Sequence, residues 1–302
     1  MPPADDSMAD VIEHRFAEVN GVKLHYACAG SSPRLILFVH GFPEFWYAWR
    51  RQLAEFGQDY LAVAPDMRGY NRSSKPQEIE QYQTKHLVAD LMALAKHLGR
   101  EKFTLVAHDW GGAAAWALAI AHPEALDRLV IINSPHPATF ARELANNREQ
   151  QEASQYMRFF RKPEAEEKLC HDNFAMLEKF AFGIGSGRSF MDEATRKLYR
   201  EAWAQPGAVL GGLNYYRAAR LEPPLPGGML DLSRMDFDRL KVDVPTLVIW
   251  GERDKALLTG NLEGLDNYVR DLTVRRVPDA SHWVVHERPA LVNQYIREFL
   301  AR

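Results

Sequence analysis

The chain has 302 residues, 46% of them hydrophobic, enough to bury one large core or a core plus an inserted subdomain. Its 37 basic and 40 acidic residues leave a formal net charge of −3. So even a balance argues against nucleic acid as a main partner and against a polybasic membrane-binding surface. The two cysteines, Cys28 and Cys170, are too few and too far apart for a disulfide framework or a metal site, and they suit a reduced cytoplasm.

In chain order, the opening MPPADDSMAD is acidic and proline-bearing, with no apolar segment to serve as a signal peptide. Residues 14–28, HRFAEVNGVKLHYAC, predict two strands joined by an Asn20-Gly21 turn. RLILFV (34–39) follows, then HGFPEFWYAW (40–49), then YLAVAP (60–65). A helical stretch at 84–98 leads to KFTLVAH (102–108), a tight turn, and an alanine-rich helix at 111–122. LDRLVII (126–132), VPTLVIW (244–250) and 272–277 complete the predicted strands, and 287–302 predicts a final helix.

These strands are nearly continuous apolar runs, the pattern of strands buried on both faces of a parallel sheet. Their alternation with helices predicts an α/β, mostly parallel, doubly wound fold. Residues 135–239 break the alternation: they are charged and aromatic, with helical spacing and no convincing buried strand, and they leave through the proline-rich EPPLPGG (222–228). We therefore expect a core in two parts, 1–134 and 240–302, with a helical lid inserted at 135–239. The longest apolar helical stretch, Gly111 to Ala121, is far short of a membrane span. A cytoplasmic, water-soluble protein is the expectation.

The turn in LVAHDWGGA places Asp109 between a buried strand and a helix, with Ala107, Gly111 and Gly112 small enough for close backbone passage. Such a turn lifts a nucleophile off the sheet and aims backbone N–H groups at the reacting centre. The pattern is small-x-Asp-x-Gly, and no true G-x-S-x-G occurs; GIGSG (183–187) reads as a flexible lid loop. The alternative role for Asp109 is a helix N-cap. Against that stand Asp254, beyond the strand ending in WGERD, and His282, after the last predicted strand. The order nucleophile, acid, histidine is that of the α/β-hydrolase fold. His286 is the weaker candidate for the base, and His108 is expected to pack beneath the turn. The oxyanion hole of this fold would take backbone N–H groups from Phe42 and Trp110, and Phe42-Pro43 is a candidate cis peptide that would fix the first of them.

HGFPEFWYAWRRQL, PDMRGYNRSSKP, VAHDWGGA, LNYYRAA, WGERD and SHWVVHERP, in this order over residues 40–289, together resemble the epoxide hydrolase branch of the α/β-hydrolase superfamily. The resemblance implies Asp109 as nucleophile, with Asp254 and His282 as charge partner and water-activating base. It implies two lid tyrosines holding the epoxide oxygen, matched by Tyr216 in NYYRAA and by Tyr156 in QYMRFF. It also implies a small apolar epoxide and water as partners, no metal or organic cofactor, and admits a homodimer. Asn71 departs from the branch, where glycine is usual; asparagine tolerates the left-handed conformation, so little consequence is expected. The rival reaction is dehalogenation by the same aspartate. Haloalkane dehalogenases carry a similar HDWG turn, and the Trp110 indole N–H could touch a halide, but Phe42 stands where their second donor, an asparagine, is usual. Trp110 and Ala113 stand where fluoroacetate dehalogenases carry the arginines that grip the substrate carboxylate. A non-catalytic binding protein on the same scaffold would be expected to lose a member of this constellation, and every position is filled.

Overall fold

The computed structural model describes residues 12–183, 191–233 and 235–302. The acidic N-terminal segment and most of GIGSG lie outside the described residues. The strands are β1 (Glu13–Val19), β2 (Val22–Ala29), β3 (Leu35–Val39), β4 (Leu61–Pro65), β5 (Phe103–His108), β6 (Leu126–Ile132), β7 (Thr246–Gly251) and β8 (Leu272–Val277). They form one sheet in the order β1-β2-β4-β3-β5-β6-β7-β8. β1, β2 and β4 pair antiparallel, and β4 through β8 run parallel.

The hairpin forms where Asn20-Gly21 predicts it. Both residues take positive φ, 48° and 75°, as a tight two-residue turn requires. β3 and β5 are buried along their whole length, because helices cover both faces of the sheet there. The edge strand β8 is half-exposed over most of its residues.

On the core, α1 (Arg50–Phe56), α2 (Thr84–His97) and α3 (Trp110–Ala121) join the strands up to β6. Between β6 and β7 come α4 (Pro137–Asn146), α5 (Arg148–Ala153), α6 (Gln155–Phe160), α7 (Ala165–Phe182), α8 (Glu193–Trp203) and α9 (Ala208–Ala218), with no strand among the described residues. The helix predicted at 287–302 is α11 (Pro289–Leu300), starting two residues later than expected, and a separate short helix, α10 (Val284–Glu287), precedes it. Arg288 leaves the helical region with φ −136° and ψ 50°, because the following Pro289 ring disfavours α conformation at the residue before it. Pro289 then starts α11, where its missing N–H costs nothing.

From β3 the chain passes to β4 on one side, then returns past β3 to β5 on the other. The connections leaving the carboxyl ends of β3 and β5 therefore run to opposite sides, a topological switch point, and the crevice at such a point is where open α/β sheets bind ligands. The residues just past these two ends are Phe42 and Asp109. Among the described residues no helix is long and apolar enough to cross a membrane.

Candidate active site

Asp109 sits at the N-cap position of α3, yet its side chain makes no capping bond. Its backbone adopts φ 52° and ψ −122°, a sparsely populated conformation for a residue with a side chain, costing about 1–3 kcal/mol. Two bonds to its carbonyl oxygen hold it there, from the Ala113 N–H at 3.0 Å and the Ser134 hydroxyl at 2.7 Å. The strain turns the carboxylate away from the helix and toward the crevice.

Phe42 donates its N–H to Asp109 Oδ1 at 2.8 Å. The Phe42-Pro43 bond is cis, as the sequence suggests. The loop and the turn approach so closely that only glycine fits at position 41. A Cβ there would stand 2.2 Å from Asp109 Oδ1 and 2.6 Å from the Trp110 nitrogen. Both expected oxyanion donors, Phe42 N–H and Trp110 N–H, thus border the space beside Oδ1.

The other oxygen, Oδ2, lies 3.7 Å from His282 Nε2. His282 Nδ1 lies 2.7 Å from Asp254 Oδ2. Asp254 is buried, and its carboxylate accepts from the Ala256 and Leu257 N–H groups at 2.8 and 2.9 Å and from the Asn133 amide at 2.8 Å. Burial raises a carboxyl pKa, but His282 and these hydrogen bonds outweigh it and hold Asp254 below the usual carboxylate range. Burial likewise opposes a charge on His282. The Asp254 carboxylate, and after it Asp109, overcome this and raise His282 to about 9.

A cavity of about 540 Å³, a size typical of small-molecule sites, opens over Asp109. Tyr156 of α6 and Tyr216 of α9 both line it, with ring centroids 6.1 Å apart in an edge-to-face arrangement. The Tyr216 ring also meets Trp110 edge-on at 5.0 Å. Burial pushes both phenols well above the usual tyrosine range, with Asp109 adding to it. Each therefore keeps its proton at neutral pH and can donate it. The structure brings Asp109, Asp254, His282, Tyr156, Tyr216, Phe42 and Trp110 together.

His286 is not part of this group. Its Nε2 contacts Glu44 Oε1. Glu44 is buried, accepts from the Tyr199 hydroxyl at 3.1 Å and lies 3.3 Å from His108 Nδ1. Burial raises the Glu44 pKa, but His286 and His108 hold it well below the usual range. His108 Nε2 in turn lies 2.9 Å from the His282 carbonyl oxygen. His108 packs beneath the turn as expected, but it also braces the loop that carries His282. Glu44, Asn133 and Ser134 went unassigned in the sequence, and the available signal for Glu44 was a carboxylate inside an aromatic run. Asn71 takes φ 41° and donates its amide to Asp66 Oδ2 at 2.8 Å, so its departure from glycine costs the turn nothing visible.

A family model described as the α/β hydrolase fold matches residues 34–289. Epoxide hydrolase 1 of Caenorhabditis elegans is 36% identical over 300 residues, covering 95% of this chain and 70% of that protein. Epoxide hydrolase 4 of Mus musculus is 35% identical over 310 residues, covering 99% of this chain and 82% of that one. The crystal structure of the Bacillus megaterium epoxide hydrolase, in complex with an inhibitor, superposes with a TM-score of 0.85 at 36% identity, covering 95% of this chain and 100% of that chain. With an aspartate on the strand-to-helix turn, two tyrosines lining the cavity over it and relatives of this kind along its length, the chain belongs to the epoxide hydrolase branch of the α/β-hydrolase superfamily.

Proposed function

We propose that this protein hydrolyses an apolar epoxide to a vicinal diol in two steps, through an ester on Asp109. The observation that carries the reading is an uncapped Asp109 carboxylate in one cavity with two protonated tyrosines. Residues 135–239 act as the lid that supplies those tyrosines.

In the first step Asp109 Oδ2, the oxygen not bound to the Phe42 N–H, attacks an epoxide carbon. The carbon–oxygen bond of the ring breaks, and its electron pair goes to the epoxide oxygen. An alkoxide is a poor leaving group at neutral pH, so a donor must meet it. Tyr156 and Tyr216 hydroxyls donate to that oxygen and deliver a proton. A carboxylate suits this turn because it yields an ester that water can cleave, whereas a serine would yield a stable ether.

In the second step His282 takes a proton from water, and the water oxygen attacks the ester carbonyl carbon of Asp109. Negative charge develops on Oδ1, where the Phe42 and Trp110 N–H groups stabilise it. The acyl carbon–Oδ2 bond breaks, Oδ2 leaves on the substrate and takes the proton back from His282, and the diol departs. The remaining water proton, shed by the Asp109 carboxyl, returns to the tyrosine that protonated the epoxide oxygen. His282 is the base for this step and not the first. While Asp109 is ionised, its charge favours the imidazolium; once Asp109 is esterified that charge is gone, and His282 gives up its proton more readily.

The test is a single turnover of styrene oxide in heavy-oxygen water. The label is expected in the Asp109 carboxylate and absent from the first diol released. Label in that first diol would exclude the ester and this mechanism.

A further inference from the structure

Helix α3 buries all of its sides except one stripe. Ala114, Ala115, Trp116, Leu118 and Ala119 are buried, whereas Trp110, Ala113, Ala117 and Ile120 keep partial exposure. Those four recur at i, i+3, i+7 and i+10, the spacing of a single helix face. All four line the cavity that contains Asp109, with Phe140 of α4 and Leu240 among the opposing walls. An apolar face on a core helix is ordinarily covered by packed side chains. Here the cavity covers it, and the chemistry described above uses only Trp110.

The dimensions say what would fit. At about 1.5 Å per residue the stripe runs roughly 10 Å from Trp110 to Ala117 and roughly 15 Å to Ile120. An extended chain gains about 1.2 Å per bond, so these lengths correspond to about eight and about twelve bonds. Alanine at 113 and 117 keeps the floor low over most of that distance, and Ile120 is the first bulky side chain beyond them.

We infer that this face of α3 is the floor on which the substrate's apolar tail lies, and that Ala117 and Ile120 set the tail length the enzyme accepts. The inference rests on epoxide hydrolysis at Asp109. The substrate class it names is an epoxide carrying an unbranched apolar chain of about eight to twelve bonds. A methylene taken wholly out of water strengthens binding about fourfold, and one laid on a floor open to one side contributes somewhat less.

The experiment measures kcat/KM by diol formation for a series from 1,2-epoxybutane to 1,2-epoxydodecane. Wild-type protein is expected to gain at least about tenfold across the series. Ala117→Phe raises the floor about 10 Å from Trp110 and is expected to cut the dodecane-to-butane ratio at least about tenfold. Ile120→Ala removes the far obstruction and is expected to move the optimum to longer chains. It carries the test alone should Ala117→Phe fail to melt cooperatively. A flat profile in the wild type, or a wild-type profile reproduced by the variants that fold, would overturn the inference while leaving epoxide hydrolysis intact. Absence of diol from every epoxide would instead sink the proposed function, and the inference with it.

Discussion

His282 Nε2 stands 3.7 Å from Asp109 Oδ2, too far for a direct hydrogen bond and close enough for strong charge coupling. That separation fits a base that acts on water rather than on the carboxylate itself. It also means that whatever neutralises Asp109 changes His282.

The first prediction follows from this coupling. Replacing Asp109 by alanine is expected to lower the His282 pKa from its value of about 9, because one of the three carboxylates raising it, Asp254, Asp109 and Glu44, is removed. Histidine titration by NMR in wild type and Asp109→Ala is the measurement. An unchanged His282 midpoint would mean that Asp254 and Glu44 set it without Asp109. The same shift has a stability consequence. A histidine raised from 6.5 to about 9 in the folded state stabilises the fold fully below about pH 6.5, and that contribution is lost as pH climbs through 9. The wild-type melting temperature is therefore expected to fall more steeply between these values than that of His282→Gln.

Removing the base separates the two chemical steps. His282→Ala retains Asp109 and both tyrosines, so alkylation proceeds while hydrolysis of the ester stalls. Intact-protein mass spectrometry after addition of styrene oxide is expected to show an adduct of the epoxide's mass, located on the Asp109 peptide. An inactive protein without an adduct would place His282 in the first step. His286 is a poor substitute base, since its ring is occupied by Glu44.

Gly41→Ala tests the contact between the loop and the turn. The added methyl would stand 2.2 Å from Asp109 Oδ1, and the nearest atoms include backbone that cannot swing aside. The carboxylate must leave the Phe42 N–H. The expected loss is about a hundredfold or more in kcat, comparable to losing an oxyanion donor, with about 1–3 kcal/mol of stability from overpacking. A variant with wild-type activity would show that the Phe42 contact is dispensable.

What could be read from the sequence depended on how local the signal was. Asp109 was legible because strand, turn and small residues are contiguous, and Asp254 and His282 because each follows a strand end in a fixed order. Glu44 was not, although it stands inside a quoted motif. Its partner His286 lies 242 positions away, and nothing local indicates that a carboxylate in an aromatic run is buried and satisfied. Asn133 was hidden for the same reason, 121 positions from the Asp254 it supports. The break at Arg288 was legible in principle, since Pro289 announces it.

The last prediction concerns the two tyrosines, whose assignment separates epoxide opening from halide displacement. Tyr156 and Tyr216 pack edge-to-face in the cavity wall and both keep their protons near neutral pH. If each steadies the developing alkoxide, each Phe substitution slows alkylation. Losing one such hydrogen bond costs roughly 2–4 kcal/mol, about a hundredfold or more in rate. The double variant should nearly stop the first step. Hydrolysis of an ester already formed should be much less affected, because that step relies on His282 and the backbone donors. An alkyl bromide needs no proton on its leaving group, so any displacement of bromide should largely survive Tyr216→Phe. Stopped-flow measurement of alkylation in single and double variants decides the matter. Unchanged epoxide alkylation in Tyr216→Phe would remove that residue from the mechanism, and with it the chief structural argument for epoxide over halide.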